Sequence, residues 1–474
     1  MSSTNRGRLA YILQTDRTVW PTSGALQTLR MTSADLAYSK QTTESNELES
    51  SGMTIDAPKT GASSAGSLNI EFSPDSYNDW IQAALRGTWG NTVNVTGAHG
   101  IVASTRTITA ASSAFASAVE GQWVFLSGFA NATNNGWFEI ESITSDTVAV
   151  LVDPGSLLVD ETGPGTAKIL SKRLINGTVT RDFAIEEALL DVESFLQFLG
   201  QRVNTMNLSL SAGQVVTGSF GLMGSDVNHE QGDIAFTGTV SVTAATRTIS
   251  ATGAFTNAEV GQRVTITGMV NDGNNITGVI ATNADADTIT LTSATTTLVD
   301  EASTTGVQIY VSAPTWSSGN SYTAATSTDV FNATSNVGQI VVNNAVSTAC
   351  FRSMSLALTN NIRETPCMAS EFPSLDYGQQ GITGTLEKIF TDLSDLWTLM
   401  KNHTDVELQF GLKSSDGTKG IHIRLPRVKL TSDQVDLSAG KNADVVDNVA
   451  FSALRYDDTA GSGDQFHIQI CVTP

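Results

Sequence analysis

Carboxylates, amides and tryptophans are the residues of this 474-residue chain whose types and spacing could do chemistry. Asp160-Glu161 and Asp300-Glu301 each close a Leu-Val-Asp-Glu run, and adjacent acids of this kind ligate calcium when further oxygens surround them. No EF-hand-like oxygen array accompanies either pair, so a solvated edge is the better reading. Glu71 and Glu387 form a second couple, suited by type to general acid–base work. Each stands where a strand-like run hands over to a helix-like one, and a carboxylate near a helix start is explained by the macrodipole. Trp123 and Trp137 have flat apolar faces that could stack on sugars, but sheet-face packing explains them more simply. Asn134-Asn135 and Asn274-Asn275 offer ligand-type amides, yet turns account for them. Five isolated histidines (His99, His229, His403, His422, His467) make no HxxxH or HxH pair. Three cysteines (Cys350, Cys367, Cys471) share no CxxC spacing and read as reduced thiols. Walker A and GxSxG sequences are missing. The residues therefore nominate no catalytic set, no metal centre and no cofactor.

The same residues fall into register when the chain is compared with itself. Gly97–Leu170 and Gly238–Val311 both contain Arg-Thr-Ile, a lone Phe, Gly-Gln, Asn-Asn and Leu-Val-Asp-Glu in the same order. Gly121 and Gly261, Gly128 and Gly268, Asn134 and Asn274, and Asn135 and Asn275 are all related by one constant offset and form the signature of the repeat. The second copy has Arg263 and Thr277 where the first has Trp123 and Trp137, which argues against a shared sugar site. Alternating apolar residues with Gly, Asn and Asp punctuation predict short antiparallel strands in both. Two copies are too few for a solenoid, so these are duplicated small domains.

A fainter symmetry runs through the frame that remains when both copies are set aside. Ser67–Phe72 is strand-like and leads into Tyr77, Trp80, Ile81 and Ala84 at helical spacing, with Pro74 suited to an early helical position. Thr383–Glu387 leads likewise into Leu393, Leu396, Trp397 and Met400. Glu71 and Glu387, and Asp79 and Asp395, are related by a single offset of their own. Elsewhere alternation dominates: Met206, Leu208 and Leu210; a hairpin from Val406–Leu412 through Asp416-Gly417 into Ile421–Leu425; and a half-buried strand holding Phe466, Ile468, Ile470 and Val472. Gln41–Ala65 and Ser312–Asn336 are polar and read as extended loops or arms. The predicted fold is mainly β: two tandem sandwich- or barrel-like units, each with one helix, plus two small repeated β-domains. The boundaries are 1–96 and 171–237 for the first unit, 97–170 and 238–311 for the repeats, and 312–474 for the second unit.

Charge narrows the function. The chain has 26 Lys+Arg against 47 Asp+Glu, a net −21, while only 15% of residues are charged and 40% are hydrophobic. A disordered acidic tail is excluded by that hydrophobic content. Gripping nucleic acid is disfavoured, since that needs cations to neutralise phosphates. No run of about 18 apolar residues predicts a membrane span, and the first residues lack a signal-like apolar stretch. The repeats carry net charges of −5 and −4, leaving −12 on the frame.

Several stretches of the frame resemble a known family. DVESFLQFLGQRVNTMNLSLSAGQVVTGSFGLMG (Asp191–Gly224) is similar to a signature segment of tail tube proteins of long-tailed bacteriophages. So are LRMTSADLAYSKQTTESNEL with GSLNIEFSPDSYNDWIQAAL near the start, and SMSLALTNN (Ser353–Asn361), ITGTLEKIFTD (Ile382–Asp392) and LPRVKL (Leu425–Leu430). The resemblance spans the frame and brings no catalytic residue. It implies β-sandwich or barrel-like tube domains stacked as rings around a DNA channel, most often six single-domain subunits. Two such units in tandem would let three chains close a pseudo-hexameric ring, with both repeat modules facing outward as decoration. It also implies inter-ring contacts from the Gln41–Ala65 loop, with Glu44, Glu47, Glu49 and Asp56 as candidates. Partners would be the chain itself and other tail proteins (tape measure, tail terminator, distal tail). Viral DNA would pass through unbound, and no membrane would be involved. The expected location is the tail of the virion, of the non-contractile type, assembled in the bacterial host cytoplasm. Two rivals are a phage adhesin or capsid-decorating protein, and a glycan depolymerase, which would need a carboxylate pair across a groove.

Overall fold

The computed structural model describes residues 7–474 apart from 22–23, 49, 154, 190–193, 232–233, 257, 259, 261, 293–297, 312–319, 344, 348, 369, 391–395, 437–440, 442–443 and 459–461. Its frame is built from β1 (Gly7–Gln14), β2 (Lys59–Glu71), α1 (Asn78–Leu85), β3 (Lys168–Ile175), β4 (Asp182–Leu189), β5 (Ser194–Ser211), β6 (Thr217–Gly224), β7 (Val337–Val342), β8 (Phe351–Thr359), β9 (Gly381–Ile389), α2 (Leu396–Lys401), β10 (Val406–Lys413), β11 (Gly420–Asp436), β12 (Val446–Ala453) and β13 (Gln469–Val472). The fold is mainly β.

Both halves of the frame use one antiparallel order. In the first it is β1–β4–β5–β6–β2. In the second it is β7–β10–β11–β12–β9. Within these orders the long strands β5 and β11 change partner along their length, β5 from β4 to β6 and β11 from β10 to β12. Register shifts at Val203/Thr205 and at Leu430/Ser432 lie on these strands, and a bulge of this kind bends a strand so that it can pass from one layer to the next. The halves are stitched together by β8, which pairs with β9 on one side and with β5 on the other, from Thr205↔Thr359 to Ser211↔Ser353.

Period-two patterning decides which side of each strand is covered. Met206, Leu208 and Leu210 of β5 are buried with Met354, Leu356 and Leu358 of β8, while Asn207 and Ser209 are exposed. α1 buries Trp80, Ile81, Ala84 and Leu85 in the same core, where Trp80 stacks on Phe183 with ring centroids 4.7 Å apart. The helix starts at Asn78, so Pro74 sits in a preceding turn and not at an early helical position. Glu71 is also too far upstream to be a helix-start charge; Asp79 is the acid in the first turn. α2 occupies the equivalent place in the second half, and Leu393 lies outside the described residues.

Ile234–Thr243, Thr248–Ser250, Thr288–Leu291, Thr277–Asp285, Arg263–Thr267 and Glu301–Val311 pair in that order and close a barrel. The first repeat closes through the same ladders, with β3 and Glu161–Thr162 pairing back to Gly90–Thr96 and Gly100–Val102. Leu126↔Ile169 corresponds to Ile266↔Ile309, and Ile108↔Ala149 to Ile249↔Ile289. The first barrel is not self-contained, because β3 runs on to pair with β13. That explains a departure from the sequence reading. The strand at Gln469–Val472 is buried on both faces: Ile470 and Val472 lie in the frame core, and on the opposite face Gln469 donates to Gly121 O of the first barrel. The polar stretch Gln41–Ala65 also differs: Ala37–Thr42 pairs with Lys59–Ala65, so the arm proper is 43–58.

Candidate functional site

The repeat signature forms a loop lock. The Glu161 carboxylate accepts the backbone N–H groups of Ala130 (2.6 Å) and Asn131 (3.1 Å) and the side-chain amides of Asn131 and Asn134. Glu301 accepts Val270 N–H (2.8 Å), Asn271 N–H, the amides of Asn271 and Asn274, and the Thr304 hydroxyl. Asn135 and Asn275 bridge the same loop by accepting the N–H groups of Phe129 and Met269. Asp160 and Asp300 each accept a backbone N–H at 2.7 Å. Gly128 and Gly268 provide the left-handed turns, at φ 81° and 88°, and Gly121 another at 76°. Gly261 lies outside the described residues. Burial acts to raise the Glu301 carboxyl, but Thr304, Asn274 and the two backbone donors outweigh it and hold it at about 2. Burial acts to raise Glu161 as well, but Asn134, the Ala130 and Asn131 N–H groups and the Asn131 amide outweigh it and lower it. These acids are occupied by the protein's own donors, and no group of three or more His, Cys, Asp or Glu is placed to hold a metal ion among the described residues.

The tryptophans of the first barrel are covered by the second half of the frame. Trp123 stacks on His422 with ring centroids 3.8 Å apart at 11°. Trp137 donates its ring N–H to Leu412 O and lies over Gly411 and Gly420, where an added Cβ would meet the ring at 2.8 and 3.0 Å. Beside them Arg424 reaches Glu139 (2.8 Å), Glu407 (2.5 Å) and Gly121 O (3.1 Å). Burial drives the His422 imidazole well below its ordinary value, and Arg424 adds to the shift. Burial likewise pushes Glu139 up to about 7, with Arg424 pulling the other way. The sequence reading did not single out Arg424. It alternates with Ile423 and Leu425 on the face that period-two patterning assigns to solvent, so the sequence carried no signal for its burial.

The largest feature common to both halves is one face of the continuous sheet β2–β6–β5–β8–β9–β12–β11. Behind it lie Leu208, Leu356, Leu386, Val449 and Phe451. The open side carries Asn69, Thr217, Asn207, Ser209, Thr383 and Thr385, all exposed, with Ser219, Ser355 and Asn448 half-buried among them. Neighbours on this face bind each other: Asn207 Nδ2 donates to Ser219 Oγ (3.1 Å), and Ser355 and Thr385 share a hydrogen bond of 2.6 Å. Glu71 and Glu387 lie on it at strand ends. Four strand steps separate β2 from β9, about 19 Å at normal inter-strand spacing, too far for a shared acid–base step. Glu387 instead accepts the Ser353 hydroxyl (2.8 Å) and faces Arg352 (3.7 Å). Lys429 is held by Asp405 (2.7 Å). The face is thus lined by hydroxyls and amides, and the cations at its margin are paired. It offers water-like hydrogen bonding without concentrated charge.

Glu44, Glu47 and Asp56 are exposed on the arm 43–58, which is pinned by Thr43 N–H to Pro58 O and Ser45 N–H to Asp56 O; Glu49 lies outside the described residues. Leu48, Met53 and Ile55 are exposed there too. The second half has a counterpart that the sequence reading missed, the arm 360–380 between β8 and β9, with the small hairpin Arg363–Thr365/Ser374–Asp376 and exposed Met368. Arg30 and Arg352, each standing just ahead of one of two matching segments, were the available signal. The arms meet where Ala62 N–H donates to Glu371 O and Lys59 pairs with Glu371.

A family model described as phage tail tube protein matches the chain twice, over residues 4–298 and again over 235–453. No curated protein matches the chain.

Proposed function

The chain belongs to the phage tail tube protein family, and from that premise we propose that it forms rings which stack into the DNA conduit of a non-contractile tail. The observation that carries this reading is the hydroxyl- and amide-lined sheet face running through two equivalent halves. Three chains would bring six such segments together, with this face toward the channel and the helices behind it.

A wall of this composition suits sliding. DNA binds where cations release its counterions, and here the marginal cations are committed to Glu387 and Asp405. The net charge of −21 adds a weak repulsion, screened beyond about 8 Å at physiological salt. Acidity was the expected property of the channel from composition; the face itself owes its inertness more to Ser, Thr and Asn. The arms 43–58 and 360–380, with Glu44, Glu47 and Asp56, are the proposed contacts between stacked rings. The second barrel faces outward as decoration. The tape measure, tail terminator and distal tail proteins are the proposed partners, and assembly takes place in the host cytoplasm. Negative-stain microscopy of the concentrated purified protein tests the proposal: tubes with a regular axial repeat support it, and globules alone at every concentration overturn it.

A further inference from the structure

The two barrels are copies, so what one carries and the other lacks marks what each is for. Along Gly136–Ser145, Phe138 and Ile140 enter the first barrel's own core, while Trp137 and Glu139 face away from it. Trp123 likewise stands beside Val124, which enters that core. At the matching places the second barrel carries Arg263, Thr277 and Val279, and it closes all the same. Barrel closure therefore does not need Trp123, Trp137 or Glu139. All three instead contact the second half of the frame: Trp123 stacks on His422, Trp137 donates to Leu412 O, and Glu139 meets Arg424 at 2.8 Å. The frame is adapted to receive them. Gly411 and Gly420 leave room for the Trp137 ring, and Arg424 and Gln469 both donate to Gly121 O at the turn ahead of Trp123.

Topology gives this seam a place in the whole. The strands of the second half run β13–β11–β12–β9–β8, and the first half holds both ends of that series, β5 on β8 and β3 on β13. β3 is also the closing strand of the first barrel, pairing through Lys168–Leu170 before it reaches β13 through Lys172–Ile175. A short ladder alone is a weak hold on angle, since neighbouring strands adopt twists from about 10° to 35°. The seam lies on a face of β10 and β11 beside that ladder, where ring stacking and guanidinium contacts resist rotation about it.

We propose that the first barrel is a brace, and that its seam with β10 and β11 fixes the angle between the two halves of one chain. The duplicated modules thus have different tasks, and the one whose outward residues are Arg263, Thr277 and Val279 carries no brace. Ring closure enters only as a consequence, resting on the reading above: three chains close a ring at one such angle.

The test measures that angle inside single chains. Full-length protein with Cys350 and Cys367 changed to Ser receives spin labels at Leu13→Cys on β1 and Lys401→Cys on α2, both exposed; Cys471 is buried. Labelled chains are diluted into unlabelled ones, and the distance is read by pulsed electron paramagnetic resonance. Trp137→Thr/Glu139→Val gives the first barrel the residues of the second. Gly411→Ala works from the other side, where the added Cβ would meet Trp137 at 2.8 Å and leaves the barrel untouched. The parent is expected to show one narrow distance, and both variants to lose it while keeping the parent's circular dichroism spectrum. A folded variant as narrow as the parent, or a parent that is itself broad, would overturn the brace. A parent that forms no tubes rejects the ring reading alone, because the distances are read within one chain. Where the parent does form tubes, the variants are expected to give arcs or irregular diameters, and uniform tubes from them would overturn the consequence for ring closure.

Discussion

At the residue scale, duplicated Asn and Glu positions form loop locks. Glu301 is buried (9% exposed) and accepts two backbone N–H groups, so replacing it leaves donors orphaned. Glu301→Ala is expected to destabilise the second barrel by about 2 kcal/mol, read from urea unfolding. The sign of the pH dependence follows from a folded value near 2 against 4.5 unfolded. Its contribution is full above 4.5 and is lost as pH falls toward 2. Glu139 runs the opposite way: its folded value near 7 means that stability falls as pH rises from about 4.5 to 7. Glu139→Gln should flatten that slope, and an unchanged slope in denaturation midpoints between pH 5 and 7 would contradict the assignment. Spacing alone made the repeat legible, because equal offsets need no structure. The roles of Glu161 and Glu301 were not legible, because only the folded loop brings the Asn134 and Asn274 amides and the backbone N–H groups of Ala130 and Val270 onto acids distant in sequence.

At the element scale, the two barrels share ladders but differ in attachment. The second closes on itself, and its end residues Ile234 and Val311 are ladder partners, so a short linker can replace what lies between. Deleting Ile234–Val311 is expected to leave a cooperatively folded frame that still assembles. The first barrel shares β3 with β13 and covers His422 with Trp123. Deleting Gly97–Ala167 is expected to abolish soluble folded protein, and Trp123→Ala, at a buried position, to cost about 3–5 kcal/mol. Thermal unfolding of the three variants separates these outcomes. Alternation in β5, β10 and β11 and the helical spacing at Trp80–Ala84 revealed those elements from sequence. β13 was misjudged as half-buried because its second face is covered by the first barrel, far away in the chain, as the Gln469–Gly121 hydrogen bond shows. Pro74 was misplaced for a local reason: a turn precedes the helix and Asn78 begins it.

At the whole-molecule scale, a constant offset relates the two strand–helix steps in the sequence, and the two halves of the frame share one strand order. Composition pointed to an acidic protein that does not grip DNA, but only the folded sheet collects Asn69, Asn207, Ser209, Thr383 and Thr385 from distant strands onto one face. The assembled protein is therefore expected to retain no duplex DNA in a filter-binding assay at physiological salt. Arginines placed at Ser209 and Thr385 should create binding that weakens steeply as salt rises. The central claim is that this face lines a closed ring. Electron cryomicroscopy of the assembled protein tests it most directly. The expected map shows three chains per ring, with Asn207, Ser209 and Thr385 on the channel wall and the second barrel outside. A map with that face turned outward, or buried between rings, would contradict the claim.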